Sequence, residues 1–332
     1  MQVALRLAAS GPLADPNPRV GAVVLDAEGG QVGQGWHAGA GTPHAEIVAL
    51  AAAGSRARGG TAVITLEPCR HTGRTGPCTQ ALLDAGVARV VFGQADPSTL
   101  AGGGARMLRE AGLDVVGGLL ADASAALNAE WTAAMRLGRP LVTWKFAATL
   151  DGRSAAADGS SRWITGPAAR ADVHERRAGY AAILVGTGTV LADDPQLTAR
   201  YPDGSLRESQ PLRVVVGHRP VPTGARVLDE TAPTLLLPTR DPDVVLDTLW
   251  DKGIRRVWLE GGPIVAAAFL AAGLVDDVVA YLAPALLGAG PAAVGGLGIQ
   301  TIDQAARLEL LDVAVLGGDV RVLARPTSVA GR

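Results

Sequence analysis

Short apolar runs alternate along this chain with helical segments, and glycines close several of those helices. Residues 20–25 and 32–36 read as a strand pair joined by the turn cluster Asp26-Ala27-Glu28-Gly29-Gly30. A helix over 44–53 ends at Gly54. A strand at 62–66, a helix over 77–85 stopped by Gly86 and a strand at 87–92 follow. The helix–glycine–strand unit returns at 107–111 and 113–116, and one longer helix is predicted over 119–137. Alternation of this kind predicts an α/β fold.

Gly138-Arg139-Pro140 breaks the pattern, and a strand restarts at 141–147. Beyond it the reading gives helices at 168–177, 244–251 and 264–272 and strands at 182–185, 212–216, 234–237 and 257–259. Residues 307–316 and 320–323 form a hairpin around Gly317-Gly318. The 332 residues suit two domains of roughly 100–200 residues each. The break places them at 1–138 and 139–328.

No charged residue lies between Asp277 and Asp303, but prolines and glycines from Pro284 to Gly298 interrupt the stretch. It reads as a buried strand and a glycine-rich loop rather than a membrane span. A net charge of −2 and 4% aromatic residues disfavour a nucleic-acid partner. No secretory signal is visible, so a cytoplasmic protein is expected.

The two cysteines are too few for a disulfide framework. Their placement suggests a metal instead. His44 opens a helix, Cys69 follows a strand, and Cys78 starts the next helix after eight intervening residues. One imidazole and two thiolates suit Zn²⁺, and three protein ligands leave a fourth position for water, whose pKa the metal lowers to about 7. Glu46, two residues from His44, is placed to shuttle that water's proton. A His/Cys/Cys site with a non-ligand Glu is the pattern of zinc deaminases.

These residues lie within longer matching stretches: Pro16-Asn17-Pro18-Arg19-Val20-Gly21, residues 41–46, and Thr65-Leu66-Glu67-Pro68-Cys69 through Cys78. The chain resembles the bifunctional riboflavin-biosynthesis deaminase/reductase family, RibD type. The resemblance continues through residues 145–152, Trp163-Ile164-Thr165, residues 182–195 and Glu260-Gly261-Gly262-Pro263. It implies a cytidine-deaminase-like three-layer α/β/α domain followed by a dihydrofolate-reductase-like α/β domain. It also implies one Zn²⁺ held by His44, Cys69 and Cys78, with Glu46 catalytic, and a deaminase pocket lined by Asn17, His37, His71 and Arg74. Asp15, Arg70, Arg74 and Gly76 depart from the residues common in the family.

For the second half the resemblance implies NADPH contacts at Ala147, Trp163, Thr189, Asp193 and Gly262. Substrate contacts are implied at Ser161, Arg177, Leu197, Arg200 and Glu260. Arg177 and Arg200 suit phosphate as forks, and His218 is a weaker cofactor candidate. From the residues alone, Gly186-Thr187-Gly188-Thr189 and Glu260-Gly261-Gly262 are glycine corners that serve equally as tight turns or phosphate sites.

The expected function is deamination of 2,5-diamino-6-ribosylamino-4(3H)-pyrimidinone 5′-phosphate, followed by NADPH-dependent reduction of its ribosyl chain. The partner is a phosphorylated small molecule, with neither nucleic acid nor membrane, and a homo-oligomer, dimer or tetramer, is expected. Competing readings are a deaminase whose second domain is inactive or differently specific, a tRNA-editing deaminase, and a non-catalytic zinc-binding protein.

Overall fold

A computed structural model of the chain describes residues 1–71, 76–98 and 101–327. Backbone contacts divide it into two units, Met1–Gly138 and Arg139–Arg332.

The first unit contains α1 (Gln2–Ala8), β1 (Gly21–Leu25), β2 (Gln31–Trp36), α2 (Ala45–Ala53), β3 (Thr61–Leu66) and α3 (Cys78–Asp84). It continues with β4 (Arg89–Gln94), α4 (Gly104–Glu110), β5 (Asp114–Gly117), α5 (Ala121–Leu127) and α6 (Ala129–Leu137). Its sheet runs in the order β2-β1-β3-β4-β5. Strand β1 is antiparallel to β2 and β3, while β3, β4 and β5 are parallel.

Period-two alternation sorts the strand side chains onto two faces. Ala22, Val24, Ile64, Val90 and Phe92 pack with Ala45 and Ala49 of α2, Leu82 of α3 and Leu108 of α4. Val23, Val63 and Val91 point the other way, against Ala4 of α1. Three layers result, as the α/β/α expectation required. At Gly33 on β2, a Cβ would stand 2.2 Å from the Ala49 carbonyl oxygen, so glycine lets α2 lie directly on the sheet.

The single helix expected over 119–137 is two, broken at Asn128. The carboxamide of Asn128 explains the break. Its Nδ2 donates to the Arg19 carbonyl and its Oδ1 accepts from the Arg19 backbone N–H, both at 2.9 Å. The backbone leaves helical geometry there to reach that partner.

The second unit contains β6 (Leu141–Thr149), α7 (Pro167–Arg177), β7 (Ala182–Gly186), α8 (Thr187–Asp193), β8 (Leu212–Val216) and β9 (Thr234–Leu237). Then come α9 (Pro242–Asp251), β10 (Arg256–Leu259), α10 (Pro263–Ala271), β11 (Asp277–Ala283), β12 (Leu308–Leu316) and β13 (Asp319–Pro326). The sheet order is β12-β13-β11-β6-β10-β7-β8-β9, with the six strands from β11 to β9 parallel. Strands β12 and β13 are the expected antiparallel hairpin.

One face packs on α9 and α10 through Val142, Leu184, Val214, Leu249, Leu259 and Phe269. The other packs on α7 through Val173, Ile183, Val185, Trp258 and Tyr281. The corner at 186–189 is the start of a helix, α8, with Gly186 as its N-cap residue. Residues 277–283 are the buried strand β11, and no helix among the described residues is long and apolar enough to cross a membrane.

Candidate functional site

In the first unit three ligand-type side chains converge at the ends of elements. His44 is the N-cap residue of α2, Cys78 is the first residue of α3, and Cys69 lies three residues beyond β3. Their donor atoms all lie within 4.8 Å of one another. His44 Nδ1 is 3.1 Å from Cys78 Sγ and 3.7 Å from Cys69 Sγ. A tetrahedral Zn²⁺ with bonds of about 2.3 Å to sulfur and about 2.0 Å to nitrogen needs N···S edges of about 3.5 Å. The donor set and its spacing therefore fit that ion.

The hydrogen bond from Cys78 pulls the Cys69 thiol down, and the same contact pushes Cys78 up. His44 is raised, chiefly by its hydrogen bond with Cys69.

Glu46, in the first turn of α2, is 5% exposed. Burial raises its carboxyl above the ordinary value. A raised carboxyl is suited to accept and return a proton near neutral pH.

Asn17 and His37 meet beside this cluster. Asn17 Nδ2 is 3.0 Å from His37 Nε2, and His37 Nδ1 donates to the Pro43 carbonyl at 3.2 Å. That second bond leaves Nε2 to accept from Asn17. The His37 ring stands edge-on to His44 at 5.4 Å between centroids. His71 has a buried Nδ1 with no hydrogen-bond partner among the described residues. Arg74 lies outside the described residues.

Several supporting residues escape a reading of the sequence. Asp15, which breaks the family pattern, accepts from the backbone N–H groups of Asn17 and Ala40, both at 2.9 Å, and joins two loops. Trp131 Nε1 donates to the Pro16 carbonyl at 3.1 Å. Glu67 accepts from the backbone N–H groups of Gly103 at 3.1 Å, Ala105 at 2.9 Å and Asp96 at 3.1 Å. A Cβ on Gly104 would lie 1.9 Å from the Pro68 carbonyl oxygen. Glycine at 104 thus lets α4 seat on the residue before Cys69. Burial, with Glu67 nearby, pushes Asp96 up to about 6.

In the second unit the site residues gather where parallel strands end. Glu260, Gly261 and Gly262 leave β10 and lead into α10, as Gly186 and Thr187 lead from β7 into α8. A Cβ on Gly262 would stand 3.7 Å from Thr189 Oγ1, so the two helix starts are adjacent. The Val265 side chain of α10 packs against both Gly186 and Gly261, and neighbouring helix N-termini of this kind suit a phosphorylated cofactor.

Beside it lies a charged cluster. Arg177 donates through Nε to Glu260 Oε1 at 2.6 Å and through Nη2 to Oε2 at 2.8 Å. Trp258 Nε1 donates to Glu260 Oε1 at 2.6 Å, and Lys145 Nζ lies 3.8 Å from Oε2. Burial alone would raise Glu260, but Arg177, Lys145 and the donated hydrogen bonds hold it at about 2. Burial lowers Lys145 in spite of Glu260. Lys145 was missed as a site residue, although it is one of only two lysines in the chain and sits in an apolar strand.

The guanidinium groups expected at phosphate are engaged within the protein. Arg177 Nη1 donates to the Thr198 carbonyl at 3.0 Å. Arg200 donates to Thr198 Oγ1 at 3.1 Å, to the Gly204 carbonyl at 2.6 Å and to Gln196 Oε1. Ser161 Oγ donates to Asp193 Oδ1 at 3.3 Å. Leu197 is buried with a positive φ of 54°, Ala147 is half-buried on β6, and His218 is exposed. Trp163 is 71% exposed, with the Arg170 guanidinium 4.6 Å from its ring centre.

Comparison with known proteins agrees with both halves. The family model for the cytidine and deoxycytidylate deaminase zinc-binding region matches residues 1–94, and the model for the RibD C-terminal domain matches residues 140–322. The riboflavin biosynthesis protein RibD of Mycobacterium tuberculosis (strain CDC 1551 / Oshkosh) is 52% identical over 92% of this chain and 90% of its own. The structure of Acinetobacter baumannii RibD, form 1, is similar at a TM-score of 0.86 and 39% identity, covering 98% of both chains. A diaminohydroxyphosphoribosylaminopyrimidine deaminase/5-amino-6-(5-phosphoribosylamino)uracil reductase from Thermotoga maritima has a TM-score of 0.82 at 33% identity, covering 98% of this chain and 97% of that one.

Proposed function

The chain belongs to the RibD family of riboflavin-biosynthesis enzymes, a deaminase and a reductase on one polypeptide, and from that membership we propose how its own residues divide the work. Residues 1–138 deaminate 2,5-diamino-6-ribosylamino-4(3H)-pyrimidinone 5′-phosphate. Residues 139–328 then reduce the ribosyl chain to give 5-amino-6-ribitylaminouracil 5′-phosphate.

The observation that carries the first reaction is the His44–Cys69–Cys78 triangle with buried Glu46 on the same helix turn. Zn²⁺ bound there supplies Lewis-acid activation of water. Glu46 takes a proton from the attacking water and delivers it to the amino group on C2, which leaves as ammonia. Asn17 and His37, already paired, hold the pyrimidine, with His71 and Arg74 completing the pocket.

In the second reaction NADPH supplies the hydride. The Gly186–Thr189 and Gly262 corners hold its phosphates, with Ala147, Trp163 and Asp193 along its length. Lys145 supplies the proton that opens the ribose ring, and Glu260 fixes its position. Ser161, Leu197 and the Arg177 and Arg200 pair shape the sugar-phosphate end. Because those two guanidinium groups are engaged internally, phosphate binding there exchanges existing hydrogen bonds for new ones.

A homo-oligomer is supported by the edge strand β12, where Leu308, Leu310, Leu311, Val313 and Val315 are all exposed. A cytoplasmic location is supported by two cysteines that serve as thiolate ligands and need a reducing compartment. The deciding experiment follows ammonia and NADPH together, with bound zinc, on the diaminopyrimidine phosphate. One ammonia and one NADPH per substrate are expected. Ammonia without NADPH oxidation would leave only the deaminase assignment standing.

A further inference from the structure

We infer that Arg219 recognises the 2′-phosphate of NADPH and makes the second unit selective for it over NADH, an inference that rests on the NADPH reading above. Strand β8 lies beside β7 in the sheet, and both end at the cofactor cradle. After β8, Gly217 turns at φ +130°, and a Cβ there would stand 2.7 Å from Thr187 Oγ1. The loop leaving β8 therefore crosses the start of α8. Two residues on, Arg219 Nη2 lies 2.8 Å from the position a Cβ would take on Gly188. Its guanidinium rests on the first turn of α8.

Arg219 is exposed and makes no hydrogen bond or ion pair among the described residues. In that it differs from Arg177 and Arg200, which are engaged internally. In nucleotide sites at the ends of parallel strands, an acidic residue beyond the glycine turn reads a ribose 2′-hydroxyl, while an arginine nearby accommodates a 2′-phosphate. The segment here is Gly217-His218-Arg219-Pro220, which carries no acid. A guanidinium fork matches a phosphate dianion in charge and in geometry.

The test measures binding of NADPH, NADH and 2′,5′-ADP to the full chain and to Arg219→Ala and Arg219→Lys, by calorimetry. Arg219→Ala is expected to weaken NADPH and 2′,5′-ADP about ten- to a hundredfold, the range for a hydrogen bond between charged groups. NADH affinity stays unchanged, and Arg219→Lys restores part of the loss. An unchanged melting temperature is expected, because the side chain is exposed. Equal losses for NADPH and NADH would place the guanidinium at the pyrophosphate and overturn the inference, as would no loss at all. Wild-type protein that binds neither dinucleotide would instead overturn the NADPH reading itself, and this inference with it.

Discussion

Arg177, on the last turn of α7, grips Glu260, just beyond β10, through the Nε/Nη2 edge of its guanidinium, at 2.6 and 2.8 Å. The pair is nearly desolvated, with side chains 13% and 10% exposed. Removing one member would leave a buried charge without its partner. Glu260→Gln is therefore expected to lower unfolding stability by about 3–5 kcal/mol, measured by urea denaturation. The wild-type pair has a definite acid dependence. Glu260 is held at about 2, below its ordinary 4.5, so its stabilisation is full above roughly pH 4.5 and fades as pH falls toward 2. The variant should show a shallower loss over that window. An identical slope would mean that Glu260 titrates normally.

Glu46 sits on the helix turn that presents His44, yet among the described residues its carboxylate is not in the ligand triangle. Glu46→Gln is expected to reduce ammonia release by at least about 10²-fold, the usual range for a positioned acid–base group. Zinc content by elemental analysis should remain at one per chain. Near-normal turnover would remove the proton-shuttle role.

Cys78→Ser replaces a fully buried thiol of the His44–Cys69–Cys78 triangle. Zinc content should fall well below one per chain, and ammonia release should stop. NADPH binding should persist, because the residues proposed to hold the dinucleotide belong to the other unit. Loss of both activities together would show that the units depend on one another to fold.

Lys145→Met should leave deamination intact and cut NADPH oxidation by at least about 10²-fold, with nucleotide binding retained. Loss of binding rather than turnover would place Lys145 in the cofactor cradle instead of at the reacting sugar.

Asn128→Ala removes both bonds to the Arg19 backbone at a site only 5% exposed. About 1–3 kcal/mol of stability should be lost for each backbone group left unsatisfied. KM for the deaminase substrate should rise more than kcat falls, since the adjacent Asn17 loop loses its support. An unchanged KM would mean that the loop is held by Trp131 and Asp15 alone.

The sequence was legible where chemistry depends on residue type and spacing. His44, Glu46, Cys69 and Cys78 carry their meaning in that way, and alternation placed nearly every strand. Partnerships across the fold were not legible. Asn128 lies 109 residues from Arg19, so a continuous helical pattern concealed a break that a distant backbone imposes. Glu67 stood within a matched motif, but its task of receiving the start of α4 depends on backbone N–H groups some 36 residues away. Lys145 was hidden for the opposite reason, as a lone charge inside an apolar strand whose partner follows a different strand.

That buried lysine has a practical consequence. The chain carries two lysines, Lys145 against Glu260 and the exposed Lys252. An amine-directed reagent thus has a built-in reporter and a built-in standard on one polypeptide. Mass spectrometry of two peptides, one carrying the amine buried against Glu260 and one open to solvent, reads whether the second unit is folded without any turnover.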